Sequence, residues 1–169
     1  MTIVVEEKRV IGYAAHGNLP LVDVDQRWDG AEAVRGMRRW ASSDGSGDKD
    51  KIDFPKYRQG FAWFNEEDPE NFGSYKLPHH IARDGLRHHF RGTVAAMGVL
   101  LGARGGVDIP GGQRRGVYNH LAQEYRRYDR EPPDFREAGD YTEKELQAHS
   151  DKTLVAWFLD WTKQQRTST

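Results

Sequence analysis

Tyr75-Lys-Leu-Pro-His-His-Ile-Ala-Arg-Asp-Gly-Leu-Arg-His-His-Phe90 is the stretch whose reading decides the fold. Asp84-Gly85 is a favoured pair for a tight hairpin turn, because both residues tolerate the positive φ that a type I′ turn demands. The flanking runs, Tyr75 to Arg83 and Leu86 to Phe90, are predicted to pair as antiparallel strands. A two-residue loop sets Arg83 opposite Leu86, Ile81 opposite His88 and His80 opposite His89. Alternation then collects Leu77, Ile81, Leu86 and Phe90 on one face and His80, Arg87 and His89 on the other. Pro78 lacks an N–H to donate, so it makes the first strand an edge or ends it.

Outward from the hairpin, the signals are helical. Asp29-Gly-Ala-Glu32 reads as a capping box, and the helix it opens puts Ala33, Val34, Met37, Trp40 and Ala41 on one stripe, stopping near Ser42. Phe54 to Gln59 suits a helical turn, and Phe61-Ala-Trp-Phe64 a short aromatic strand. Thr93 to Ala103 is predicted to be a helix with Val94, Met97 and Leu101 at core spacing. Gly102 and Gly105-Gly106 end it by accepting positive φ. Pro110 opens the next helix, which runs to about Arg130 with Val117, Leu121, Tyr125 and Tyr128 on one stripe. Pro132-Pro133 stops it. Thr142-Glu-Lys-Glu145 is a second capping box, opening a last helix with Leu154, Trp157, Phe158 and Trp161 along a wide apolar face. The expected fold is α+β: about four helices packed with a small antiparallel hairpin or sheet in a single domain. Residues 28–166 form that domain, residues 1–27 an N-terminal arm or short strands (Ile3 to Val5, Val10 to Tyr13), and the Gly/Ser-rich 42–53 a flexible loop.

Composition bounds the chemistry. The chain has 169 residues, 30% of them charged, and a net charge of −1, which argues against a wholly basic nucleic-acid binder. Mean hydropathy is −0.85, so a modest core is expected. Absence of Cys excludes disulfides, thiol catalysis and Cys-ligated zinc. It also fits an intracellular setting. No apolar run approaches the roughly 18–20 residues that span a bilayer, and the acid within the short apolar N-terminal stretch is unlike a signal peptide. Charge is uneven: Arg83 to Arg127 holds eight Arg against Asp84, Asp108 and Glu124.

Three constellations invite chemistry. His80 and His89, as cross-strand neighbours, offer two metal ligands where zinc wants three or four, so no metal site is expected and the His pairs are placed on a polar strand face. His120 and Glu124 lie four apart on one helix face; without a nucleophile or metal beside them, an exposed helix pair is expected. Leu101-Gly-Ala-Arg-Gly-Gly-Val-Asp-Ile-Pro110 follows a helix, not a strand, and no Gly-Lys-Ser/Thr occurs, so it reads as a helix-to-helix connection, not a phosphate loop. In Asp44-Gly-Ser-Gly-Asp48 and Asp50, the calcium-loop spacing fails at Lys49 and Pro55. No catalytic residue and no cofactor is expected. The Arg and Tyr interleaved along 83–130 suit a protein interface, with phosphate-backbone contact as the alternative. Candidate partner-binding residues are Arg104, Arg114, Arg115, Tyr118, Tyr125, Arg126, Arg127, Trp157, Phe158 and Trp161.

The order Tyr57, Phe61-Ala-Trp63, Tyr75-Lys-Leu-Pro78, Gly85, Gly92, Ala95-Ala96, Leu101 to Pro110, Tyr118, Leu121, Tyr125 and Pro132-Pro133 resembles a module of tailed-phage head-assembly proteins. The similarity is to the region outside the protease domain of prohead (capsid maturation) proteases. Trp28-Asp29 and Arg39-Trp40-Ala41 fit it too, so the resemblance covers residues 27–135. Nothing matches the protease domain, and no catalytic residue carries over. The resemblance implies a non-enzymatic phage or prophage structural or assembly protein. Its partners would be capsid or scaffold proteins, or a second copy of itself, and its location the virion or host cytoplasm. The alternative is a nucleic-acid-binding accessory protein using 83–130.

Overall fold

A computed structural model describes residues 19–136. The predicted last helix, with Trp157, Phe158 and Trp161, and the predicted strands near Ile3 and Val10 lie outside the described residues. Within them, the elements in chain order are α1 (Gly30–Ala41), α2 (Phe54–Tyr57), β1 (Phe61–Phe64), β2 (Tyr75–Pro78), β3 (His80–Ala82), β4 (Leu86–His88), α3 (Phe90–Leu100) and α4 (Gly111–Arg127). The architecture is α+β: these four helices pack with two small antiparallel two-stranded sheets, β1–β2 and β3–β4.

Local sequence accounts for most boundaries. Asp29 caps α1 by accepting from the Glu32 N–H at 3.0 Å. Glu32 does not reach back to close the box; it pairs with Arg35 and Arg39 on the exposed side. The 42–53 loop returns to the end of α1. Ser43 N–H donates to Lys51 O and Asp53 N–H to Ala41 O, both at 2.9 Å. Arg38 stacks over Phe72 across this region, 3.9 Å from the ring centroid.

All four residues of β1 are buried, and Phe61, Trp63 and Phe64 lie opposite Pro78, Lys76 and Tyr75 of β2. Around this sheet Phe54, Tyr57, Phe61, Phe64, Phe72 and Tyr75 form one aromatic cluster with ring centroids 4.8–6.2 Å apart. Edge-to-face and offset rings add to the area they bury. Met37 of α1, Val94, Met97 and Leu100 of α3, and Val117, Leu121 and Tyr125 of α4 complete the core. Two glycines permit the close approaches. A Cβ on Gly60 would meet Met37 Sδ at 1.7 Å, and one on Gly92 would meet the Trp28 ring at 2.7 Å and the His79 carbonyl oxygen at 3.0 Å.

The hairpin differs from the sequence expectation in two ways. First, Tyr75 to Arg83 is not one strand. The pairing breaks at His79, so that β2 joins β1 and β3 joins β4. Second, the register is shifted by one: His80 lies opposite His88, Ile81 opposite Arg87, and Ala82 opposite Leu86. The loop is three residues, Arg83-Asp84-Gly85, with φ of 49° at Asp84 and 109° at Gly85. Both take the left-handed conformation anticipated for them, but in a longer loop. A one-residue slip exchanges the faces of a strand. His88, not His89, therefore faces His80. Phe90 leaves the strand to open α3, and His89 becomes the N-cap of that helix, its Nδ1 accepting from the Gly92 N–H at 3.1 Å. The other edge of β4 takes up the N-terminal arm: Val22 N–H donates to His88 O and His88 N–H to Pro20 O.

Candidate metal centre

Five ionisable side chains converge in the interior. His79 and His80 come from the β2–β3 junction, His88 from β4, and His120 and Glu124 from α4. None is more than 5% exposed. His79 Nε2 lies 3.0 Å from His120 Nε2, and His80 Nε2 lies 3.2 Å from His88 Nδ1. Glu124 Oε2 is pressed against His88 Nδ1. The atoms fall into two sets, His79/His120/Glu124 and His80/His88/Glu124, each with its ligand atoms within 4.8 Å of one another. Glu124 belongs to both.

Each element contributes for an identifiable reason. Consecutive residues of a regular strand point to opposite faces, so His79 and His80 would ordinarily diverge. The break between β2 and β3 brings their rings to 4.1 Å. Leu77, just before it, has φ of 60°. A non-glycine residue there carries roughly 1 kcal/mol or more of strain. That bend places the Leu77 carbonyl 3.1 Å from His79 Nδ1. An N–H at Nδ1 donating to this carbonyl fixes the tautomer in which Nε2 presents its lone pair to the cluster. On α4 the four-residue spacing puts His120 and Glu124 on one face, as the sequence required. That face packs inward, so the exposed pair expected from sequence is in fact buried.

His89 provides the internal contrast. It is also buried, but its ring nitrogens serve backbone groups: Nδ1 accepts from Gly92 and Nε2 lies 3.2 Å from the Arg27 carbonyl. Burial in a site packed against Trp28 pushes its pKa down to about 4, with the Arg91 charge adding to the effect and the Arg27 carbonyl opposing it. It is a structural histidine outside the ligand set.

Among the residues expected to meet a partner, Arg104, Arg115 and Arg126 are exposed and Arg127 is half-buried. Arg114 and Tyr125 face inward. Arg114 forks onto the carbonyls of Leu100 and Val107, the latter at 3.2 Å, and so ties the glycine loop to the end of α3. Tyr118 donates to the Pro133 carbonyl at 2.5 Å, and Arg115 lies over the Phe135 ring. Both thus hold the chain's own return segment. Arg104, with φ of 57°, stands by a cleft of about 240 Å³ walled by Trp28, Leu77, Pro78, Ala95 and Val99; none of the five clustered residues lines it. Sequence reasoning missed His79 and His88 as members of the cluster and set aside His120 and Glu124. The available signal was the combination of two His-His pairs flanking one turn with a His/Glu pair at helical spacing.

Comparison of the chain with protein-family models, curated proteins and solved structures gives no match. Among the described residues, no helix is long and apolar enough to cross a membrane.

Proposed function

We propose that this protein is a non-enzymatic component of tailed-phage or prophage head assembly that acts through protein contacts, with capsid or scaffold proteins or a second copy of itself as partners. The observation that carries the non-enzymatic part is the closure of the His/Glu cluster: all five side chains are at most 5% exposed. A catalytic centre needs a position open to substrate, whereas structural centres are closed. The setting rests on the resemblance over residues 27–135, carried most specifically by Leu101 to Pro110. The surface offered to a partner centres on the exposed Arg104 and Arg126, flanked by Arg115, which also covers the Phe135 ring. Against the nucleic-acid alternative stands the use of the tyrosines. Tyr125 is buried, and the Tyr118 and Tyr128 rings pack against Phe135 and Phe90. Base stacking needs free aromatic faces.

The test is affinity capture of purified head, scaffold and capsid proteins on the immobilised chain, beside a heparin column. Retention of a capsid or scaffold protein, weakened by a combined Arg104, Arg115 and Arg126 to Ala variant, is the expected result. No capture, with heparin binding that collapses steeply with salt, overturns it in favour of nucleic acid. Casein and phosphodiester turnover should stay at background with Mg²⁺, Mn²⁺ or Zn²⁺ added.

A further inference from the structure

We propose that His79, His80, His88, His120 and Glu124 form a structural centre for one divalent transition-metal ion of the zinc class, with Glu124 as the ligand common to both arrangements. Four ring nitrogens turn toward one another and toward the carboxylate, where a purely structural histidine such as His89 turns to backbone groups. Ligand nitrogens on one tetrahedral ion, with bonds of about 2.0–2.1 Å, stand roughly 3.3 Å apart. The His79–His120 and His80–His88 separations of 3.0 and 3.2 Å are close to that spacing. The Leu77 carbonyl on His79 Nδ1 is the outer contact that orients a metal-binding imidazole.

The donor set selects the ion. Imidazoles with a single carboxylate suit zinc, cobalt or nickel, whereas calcium and magnesium require a shell of oxygens. Charge selects the number. Glu124 offsets one of the two charges of a single dication. A second dication would leave three positive charges in the core, and each buried charge costs several kcal/mol. One ion therefore takes Glu124 with the imidazoles of one set, His79 and His120 or His80 and His88. In either set it fastens the hairpin region to α4; in the first, the joined His79 and His120 are 41 residues apart. Such an ion contributes to folding, because the unfolded chain has no assembled site.

The experiment uses the full chain, stripped with a chelator and desalted. Co²⁺ titration should give visible d–d absorption saturating at one equivalent, and Zn²⁺ should abolish it. Elemental analysis after Zn²⁺ loading should find one ion per chain. Zn²⁺ should raise the melting temperature, and Mg²⁺ and Ca²⁺ should not. E124Q should weaken Co²⁺ affinity by at least about a hundredfold, and one of H88Q and H120Q, the one in the set that holds the ion, by about tenfold or more. H89N should keep the stoichiometry. If E124Q fails to fold, long-range ¹H–¹⁵N spectra of the wild-type imidazoles decide: shifts on Zn²⁺ addition must fall on the ring nitrogens of one set, His79 and His120 or His80 and His88, and spare His89. No stoichiometric binding, binding unaffected by E124Q in a folded variant, or two ions per chain each overturn the proposal. None of these results depends on whether a capsid or scaffold protein is captured.

Discussion

At the scale of the residue, close approach dominates. Gly92 sits where α3 meets both the Trp28 ring and the carbonyl of His79. Gly92→Ala has no flexible neighbour to displace, and overpacking of this kind costs about 1–3 kcal/mol. Its melting temperature should fall by several degrees, and the near-ultraviolet signal of Trp28 should change with it. Tyr75 gives a second prediction. Burial raises its pKa to about 12, with Tyr57 adding a little and the Arg58 charge opposing. Its hydroxyl donates to the Pro69 carbonyl at 2.5 Å. The folded state therefore holds the phenolic proton more tightly than the unfolded chain does. The stability this contributes is complete below pH 10 and is lost as the pH rises toward 12. Burial raises Tyr128 to about 12 as well, so alkaline titration followed by phenolate absorbance should show late-titrating phenols, with one fewer in Tyr75→Phe. The same variant should unfold at a higher pH than the wild type.

At the scale of the element, the junction between α3 and α4 depends on one guanidinium and three glycines. Gly102, Gly105 and Gly106 have φ of 110°, 84° and 78°. Substitution of any one by Val should cost about 1 kcal/mol or more, read as a shift in the denaturant midpoint. Arg114 satisfies carbonyls on both sides of the loop. Arg114→Met leaves buried carbonyls without their donor, at about 1–3 kcal/mol, and Arg114→Lys should not restore it, because an ammonium cannot reproduce the fork. Local hydrogen exchange at residues 101–110 should accelerate in both variants. Rescue by Lys would show that charge, not the fork, does the pinning.

At the scale of the whole molecule, the hairpin acts as the hub. It receives the N-terminal arm on the outer edge of β4, and α1 packs against β3. Through Tyr128 it meets the end of α4, the hydroxyl donating to His88 O at 2.9 Å. Tyr128→Phe should cost about 1 kcal/mol. Its effect should spread to exchange of the Val22 amide, which shares that carbonyl. An unchanged Val22 amide would show that arm and helix are independent.

Much of this fold was legible in the sequence because its signals are local. The Asp29 cap, the α1 stripe, the Val117/Leu121/Tyr125 stripe, the aromatic strand and the glycine stop each depend on neighbours within a few residues. The α+β class followed from them. The side-chain cluster was not legible, and the reasons are specific. Hairpin register depends on whether the turn holds two residues or three, and both fit Arg83-Asp84-Gly85. That choice decides whether His88 or His89 meets His80. Whether His79 joins them depends on a break in strand pairing that the β1 edge enforces from more than ten residues away. The helical spacing of His120 and Glu124 placed them on one face, but burial of that face is set by what packs against α4. Periodicity determined which side chains travel together; only tertiary packing decided which of those groups face one another.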